Sequence, residues 1–420
     1  MKKRVYKATN VKKINLEKLI QEVEGKEIVL GVDVAKEDFM AAIMDKDRKV
    51  IKTIKWKHPF ESHLLLDLIL SKLRWYSLEV AMEPSGTYGD SLRAQFLGNG
   101  ISVFRVSPKR CHDAAEVFDG VPSMHDAKAS AIIGRLHLDG ASEEWPMAED
   151  SQRELTAVIR TMEMFDDAYR RNVNRLEALT MRYWPELTKY LQLQSATLLE
   201  LLKEFGSPES VAQFSQEAGE LMKKTGGTVL KAAKIKAVLE SASISLGVKC
   251  IEAEREQVRE LCREIRRLQK LRRHARSQVE ALTQDMDCVK EMTPVIGKVT
   301  SAVLYMTLGS MEGYANAGSV IKSLGLNLKE RSSGKHKGQL RITKRGSGSA
   351  RMYLYMAVLR LVKNNTIIKA WYQKKIIRDS GLKMKALVAI MRKLASALWH
   401  VGKGEKFDAA LLFDSTRLAI

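Results

Sequence analysis

Apolar residues fall in short dense blocks over the first third of the chain and spread into helical stripes after it. "EIVLGVDVA" is an almost unbroken apolar run, the pattern of a strand buried on both faces, and "DFMAAIMD" and "VIKTIKW" read as two more strands. "PFESHLLLDLILSKL" carries its apolar residues at helical spacing, and "SLEVAME" returns to strand character. A helix over "YGDSLRAQFLGNG" is predicted to stop at Gly98 and Gly100, and a strand over "ISVFRVSP" to stop at Pro108. Strands paired first by hairpins and then alternating with helices predict a mixed α/β sheet covered on its faces.

From Ser151 to about Asp285 the strand signals fade. Val258, Leu261, Ile265, Leu268, Arg272, Ala275, Val279 and Leu282 alternate spacings of three and four, a heptad seam interrupted only by Arg272. Such a seam joins two subunits in a coiled coil or packs a long helix on its own domain; the dimer is the expectation. The outward positions carry Arg263, Arg266, Arg267, Lys270, Arg273 and Arg276, which would line a nucleic-acid path or form a solvated face. A third region begins near Met292. There "TPVIGKVTSAVLYMTLG" predicts a turn followed by a helix, and "GSVIKSLGL", "ARMYLYMAVLRLVKN" and "KMKALVAIMRKLASALWHV" predict helices around a Gly/Ser/basic loop. The resulting division is a basic lead (1–25), an α/β domain (26–150), a helical and coiled-coil region (151–285), a mainly α C-terminal domain (286–405) and a tail (406–420).

Charge narrows the choice of partner. The 420 residues include 70 Lys and Arg against 50 Asp and Glu, a formal charge of +20. A clustered surplus of that size points to a polyanion, and with no apolar stretch of membrane length the polyanion is nucleic acid. The basic N-terminus has no following apolar segment, so a cytoplasmic, nucleoid-associated protein is expected. The four cysteines are widely spaced, which argues against a zinc site or a disulfide framework.

Three carboxylates stand at element ends: Asp33 closes the first apolar run, Glu83 follows another in "VAMEPSGTYG", and Asp126 opens the helix "DAKASAIIGRL". A lone Asp after a strand is ordinarily a turn or cap residue. Three that converge at one sheet edge offer the hard oxygen ligands that Mg²⁺ takes in phosphoryl transfer. Further on, Ser332 and Ser333 lie between Arg331 and Gly334, with Lys335, Lys337, Arg341, Lys344, Arg345 and Arg351 around them. That loop reads as a solvated linker, or as a phosphate grip presenting a nucleophile that still needs a base or metal. His112 and His125 read as cap or surface residues, and Trp371 and Tyr372 as packing in an amphipathic helix.

"GVDVAKEDF", "VAMEPSGTYGDSL", "ISVFRVSPKR" and "DAKASAIIGRL", followed by "TPVIGKVTSAVL", "SLGLNLKERSSGKHKGQLRITKRGSGSAR" and "KALVAIMRKL", resemble in order and spacing the DEDD transposases of insertion sequences, RNA-guided DNA recombinases. The resemblance covers most of the chain and matches the middle helices weakly. It implies a RuvC-like, ribonuclease-H-type N-terminal domain with Asp33, Glu83 and Asp126 as three of four Mg²⁺ ligands. It also implies a C-terminal transposase domain whose serine forms a covalent phosphoserine with DNA, Ser333 matching best and Ser332 next. The family's fourth acid lies three residues after the third, where this chain has Ala129; Lys128, Ile133 and Leu136 keep that register. A second register makes Asp126 the fourth acid and Ser123 the missing third, at the loss of the apolar matches. Either way one carboxylate is absent, so impaired catalysis is expected. The implied partners are donor and target DNA, a structured bridge RNA, and further copies of the chain, as a dimer and as a tetramer on DNA, with acids and serine coming from different subunits. Rival readings are a RuvC-like endonuclease acting by water attack, a non-catalytic RNA- or DNA-binding protein, and an actin-like ATPase, against which stands the lack of a convincing later phosphate loop.

Overall fold

The first apolar run becomes a central strand because neither of its faces meets water. The computed structural model describes residues 7–330, 338 and 340–413, and the chain divides into two units between Glu149 and Asp150. In the first unit, β1 (Ala8–Asn10), β2 (Glu27–Asp33), β3 (Asp38–Asp45), β4 (Val50–Lys57), β5 (Ser77–Met82), β6 (Val103–Val106) and β7 (Ser142–Glu144) form one sheet in the order β1-β4-β3-β2-β5-β6-β7. β2, β3 and β4 make an antiparallel meander. β5 runs parallel to β2, and β6 parallel to β5. The helices are α1 (Leu16–Val23), α2 (Ser62–Asp67), α3 (Asp90–Gly98), α4 (Pro108–Asp113) and α5 (Asp126–Leu138).

Side-chain alternation along the strands assigns the two faces. Ile28, Leu30 and Val32 of β2 and Leu78, Val80 and Met82 of β5 face Leu19, Leu65 and Phe96 of α1, α2 and α3. Val29 of β2 and Ala81 of β5 face Ile132 and Ile133 of α5 and Cys111 of α4. Gly31 shares the α5 face, where a Cβ would lie 2.6 Å from the Gly134 amide nitrogen and closer still to the Ser130 carbonyl oxygen. Helix and strand therefore touch backbone to backbone. This is the mixed α/β sheet expected from the sequence, with two differences. Residues 8–23, read as a basic lead, join the unit: β1 pairs with β4, and Leu19 and Val23 are buried. The helix predicted over 59–73 is α-helical only across Ser62–Asp67 and continues as a wider turn, Leu68–Lys72, in which the Leu73 amide reaches back to the Leu68 carbonyl.

The second unit is mostly helical. Its helices are α6 (Asp150–Tyr183), α7 (Leu187–Tyr190), α8 (Ala196–Phe205), α9 (Pro208–Gln213), α10 (Ser215–Gly226), α11 (Ala232–Ser243), α12 (Glu252–Thr283), α13 (Asp287–Ile296), α14 (Lys298–Leu308), α15 (Ala317–Ser323), α16 (Gly348–Asn364), α17 (Thr366–Arg378), α18 (Lys383–Val401) and α19 (Ala409–Leu412), with a two-stranded ribbon of β8 (Leu328–Lys329) and β9 (Arg341–Ile342). The turn expected at "TPVIG" falls at Gly297, whose φ of +83° ends α13, and Pro294 sits inside that helix.

The heptad seam corrects the sequence-based expectation of an intersubunit coiled coil. Val258, Ile265 and Leu268 of α12 pack on Val173 and Leu176 of α6 and on Leu198 and Leu202 of α8. Ala275 and Val279 pack on Leu155, Ile159 and Met162 of α6 and on Ala302 and Val303 of α14. The seam is covered inside one chain because α6 returns alongside α12. Arg272, the polar break, is accommodated there by an ion pair with Asp166 and by stacking 3.9 Å above the Tyr169 ring.

Two substitution tests follow from this packing. Gly31→Ala should destabilise the protein by about 3 kcal/mol or more in urea unfolding, because backbone must move. Gly134→Ala should cost less, since there the added methyl meets the flexible Met44 side chain at 2.6 Å. Leu268→Asp, which buries a carboxylate without a partner, should lower the unfolding midpoint and leave the molar mass of the folded fraction in light scattering unchanged.

Candidate active site at the sheet edge

The ends of two adjacent parallel strands carry the first two acids. Val32 of β2 is paired with Met82 of β5, so Asp33 and Glu83 occupy the next matching positions, and the Glu83 amide donates to the Val32 carbonyl at 3.5 Å. By alternation both side chains belong to the α5 face, where neighbouring strands stand about 4.8 Å apart. The third acid arrives on α5. The far end of that helix is tied to β5 by His137, whose Nε2 lies 3.0 Å from Glu79 Oε2. Its middle rests on Gly31, and its first residue, Asp126, reaches the carboxyl edge of the strands.

The electrostatics report this convergence. Burial first, then repulsion from Asp126 and Glu83, raise the Asp33 carboxyl from 3.8 to about 7. Burial first, and then the nearby Glu83 carboxylate, push the thiol of Cys111 on α4 well above the ordinary thiol range. Sequence inspection had no means of finding this residue, because a single cysteine in "PKRCHD" carries no motif. Ala129, one turn after Asp126 on α5, is buried and supplies only a methyl group. Lys128 between them is 1% exposed, and its ammonium donates to Asp119 Oδ1 (2.8 Å), Val121 O (2.6 Å) and Ser123 O (3.1 Å). His125 is the N-cap of α5, as its position suggested, accepting from the Lys128 amide.

Three carboxylates are a hard-oxygen donor set suited to Mg²⁺, and a divalent cation would relieve the repulsion felt at Asp33. Among the described residues no three His, Cys, Asp or Glu side chains stand in a metal-holding arrangement.

The basic residues are less uniform than their sequence suggested. Arg331, Ser332, Ser333, Lys335 and Lys337 lie outside the described residues. β8 and β9, with Lys329 opposite Arg341, bracket them. Lys344 takes φ +56°, and its amide donates to the Gly325 carbonyl at 2.9 Å. Lys344 and Arg345 are exposed. Arg351 holds the turn instead, donating to the Leu324 and Gly346 carbonyls at 3.0 Å each. On α12, Arg267 grips Glu264 with two hydrogen bonds, Arg266 pairs with Glu200, and Lys270 and Arg273 are exposed. Trp371 and Tyr372 pack on the C-terminal core, Trp371 with its ring 5.0 Å from Phe413.

Comparison with known proteins decides the family. Residues 30–185 match the sequence model of the DEDD transposases of IS110 elements, and residues 289–373 match that of the IS116/IS110/IS902 transposase family. The chain belongs to the IS110 family of DEDD transposases. A stretch of 117 residues is 31% identical to the transposase for insertion sequence element IS1111A of Coxiella burnetii, covering 27% of this chain and 32% of that relative. The match thus spans about a third of the relative's length. The family segment at the N-terminus contains Asp33, Glu83, Asp126 and Ala129, and the mixed sheet is consistent with its ribonuclease-H-like domain.

The raised Asp33 carboxyl makes stability depend on pH. The folded metal-free protein keeps a proton at Asp33 that the unfolded chain, titrating near 3.8, releases. Its contribution is full below pH 3.8 and lost as pH rises through about 7. In the metal-free protein, raising the pH from 5 to 8 should therefore lower the Tm of wild type more than that of Asp33→Asn. Equal slopes would show that Asp33 is not the group responsible.

Proposed function

We propose that this protein is the recombinase of an insertion sequence, cutting and rejoining DNA at a carboxylate site formed by Asp33, Glu83 and Asp126, with Ser333 as nucleophile. The observation that carries the reading is the placement of Asp33 and Glu83 at matched ends of adjacent parallel strands, with Asp126 delivered to them by α5. Bound Mg²⁺ would activate the attacking oxygen and stabilise the leaving one. Asp33 and Glu83 are held by the sheet and Asp126 by a helix end. The Ser333 hydroxyl attacks the phosphorus. A Ser–O–P bond forms, the bond from phosphorus to one deoxyribose oxygen breaks, and that oxygen leaves as a hydroxyl carrying the proton. Arg331, Lys335, Lys337, Arg341, Lys344 and Arg345, clustered around this serine in sequence, suit the phosphates on either side.

The substrates on this reading are donor and target DNA, and a structured bridge RNA supplies sequence choice by base pairing. The working form is a homo-oligomer, a dimer and then a tetramer on DNA, in which one subunit's acids meet another's serine. Because α12 is already covered by its own chain, the subunits join through other surfaces. Ala129 leaves the cluster one carboxylate short of the family's four, so this chain cleaves slowly.

The test is adduct formation with RNA, DNA and Mg²⁺ present. Ala129→Asp should form a covalent protein–DNA adduct at least about a hundredfold faster than the unaltered chain, the order lost when one stabilising group is removed from an active site. Adding Ser333→Ala or Asp33→Asn to it should abolish the adduct. Cleavage that survives Ser333→Ala without an adduct would instead establish water as the nucleophile. Equal rates with and without Ala129→Asp would move the missing acid to Ser123.

A further inference from the structure

A hollow of about 290 Å³ opens on the helical unit, lined by Tyr169 of α6 and by Arg266, Gln269, Arg272, Arg273 and Arg276 of α12. We infer that this hollow binds the phosphodiester backbone of nucleic acid, a subsite remote in sequence from both the acids and the serine loop. It rests on the proposal that the protein acts on nucleic acid, and it specifies which of the many cations grip the polyanion.

Charge balance separates this face of α12 from the rest of the helix. Arg263 is paired with Glu256 and Glu260, and Arg267 with Glu264, acids on the preceding turns of the same helix. Those cations are neutralised where they stand. The hollow is not. Its four guanidinium groups share two carboxylates: Asp166 serves both Arg272 and Arg276, and Glu200 serves Arg266 while also holding Lys203. Among the described residues, Arg273 makes only a 3.3 Å bond to the Gln269 carbonyl. A positive surplus therefore faces the cavity.

The hollow is also built in advance. Arg272 is fixed by Asp166 and by the Tyr169 ring beneath it. The Gln269 side chain accepts from Arg266 at 3.0 Å and donates to the Gln194 carbonyl at 3.0 Å. With these groups fixed, less side-chain freedom is lost on binding, while the exposed Arg273 and Arg276 can turn to a ligand. Planar guanidinium forks match phosphate oxygens two at a time. Residues 266, 269, 272, 273 and 276 recur on successive turns of one side, over about 15 Å of helix. A strand running along α12 would meet more than one of them.

The test compares two double variants that remove equal charge. Arg273→Gln/Arg276→Gln removes the adjustable half of the hollow; Arg263→Gln/Arg267→Gln removes neutralised cations from the same helix. Binding of structured RNA, double-stranded DNA and single-stranded DNA is measured by fluorescence anisotropy at about 0.15 M salt and across a salt series. The hollow variant should bind at least about tenfold more weakly, with its salt slope reduced by about 1 for each phosphate it no longer grips, and the control should match wild type. The probe that loses affinity identifies whether RNA or DNA occupies the hollow. Arg273→Gln alone, which leaves both Asp166 ion pairs intact, should show a smaller loss in the same direction with an unchanged Tm. If wild type binds and the hollow variants bind as tightly as the control, the inference is overturned while the wider reading stands. If wild type binds none of the three probes, the wider reading falls and takes this one with it.

Discussion

The contact on which the candidate site depends is the one at Gly31, where α5 lies against β2 with no side chain between them. A larger residue would lift the helix, and the carboxylate at its start would move away from the strand ends. The Ile132 and Ile133 side chains secure the helix on Val29 and Ala81. Charge works against this arrangement, since burial and then Asp126 and Glu83 all oppose ionisation of Asp33. Apolar packing on one side of the sheet holds together a charge cluster that would otherwise separate.

The parts of the structure most legible in the sequence were those whose own residues settle the conformation. "DFMAAIMD" is strand Asp38–Asp45 to the residue, because its apolar run between acidic ends suits a strand buried within a sheet. The strand-end positions of Asp33 and Glu83 were legible because each closes an apolar run. The short edge strands were not legible: Ser142–Glu144 is polar, and only its pairing with β6 makes it a strand. Helix α1 was hidden in a basic stretch, although Leu19 and Val23 form its buried side.

The α12 seam shows a different limit. A heptad pattern states that one stripe of a helix is covered, and is silent about what covers it. Leu155, Ile159 and Met162 of α6 lie over a hundred residues away in the chain and supply that cover. Arg351 makes the same point for charge. In "KRGSGSAR" it is indistinguishable from its neighbours, yet two backbone carbonyls occupy its guanidinium. Cations that look equivalent along a sequence divide into those spent on the fold and those left for a ligand.

The single ammonium of Lys128 uses all three of its hydrogens on the segment 119–123, at three separate points, from a position almost closed to water. Releasing any one acceptor leaves a buried hydrogen without a partner, and releasing all three exposes the charge to solvent at once. The three contacts on the segment preceding Asp126 therefore reinforce one another: losing one raises the cost of keeping the ammonium buried on the other two.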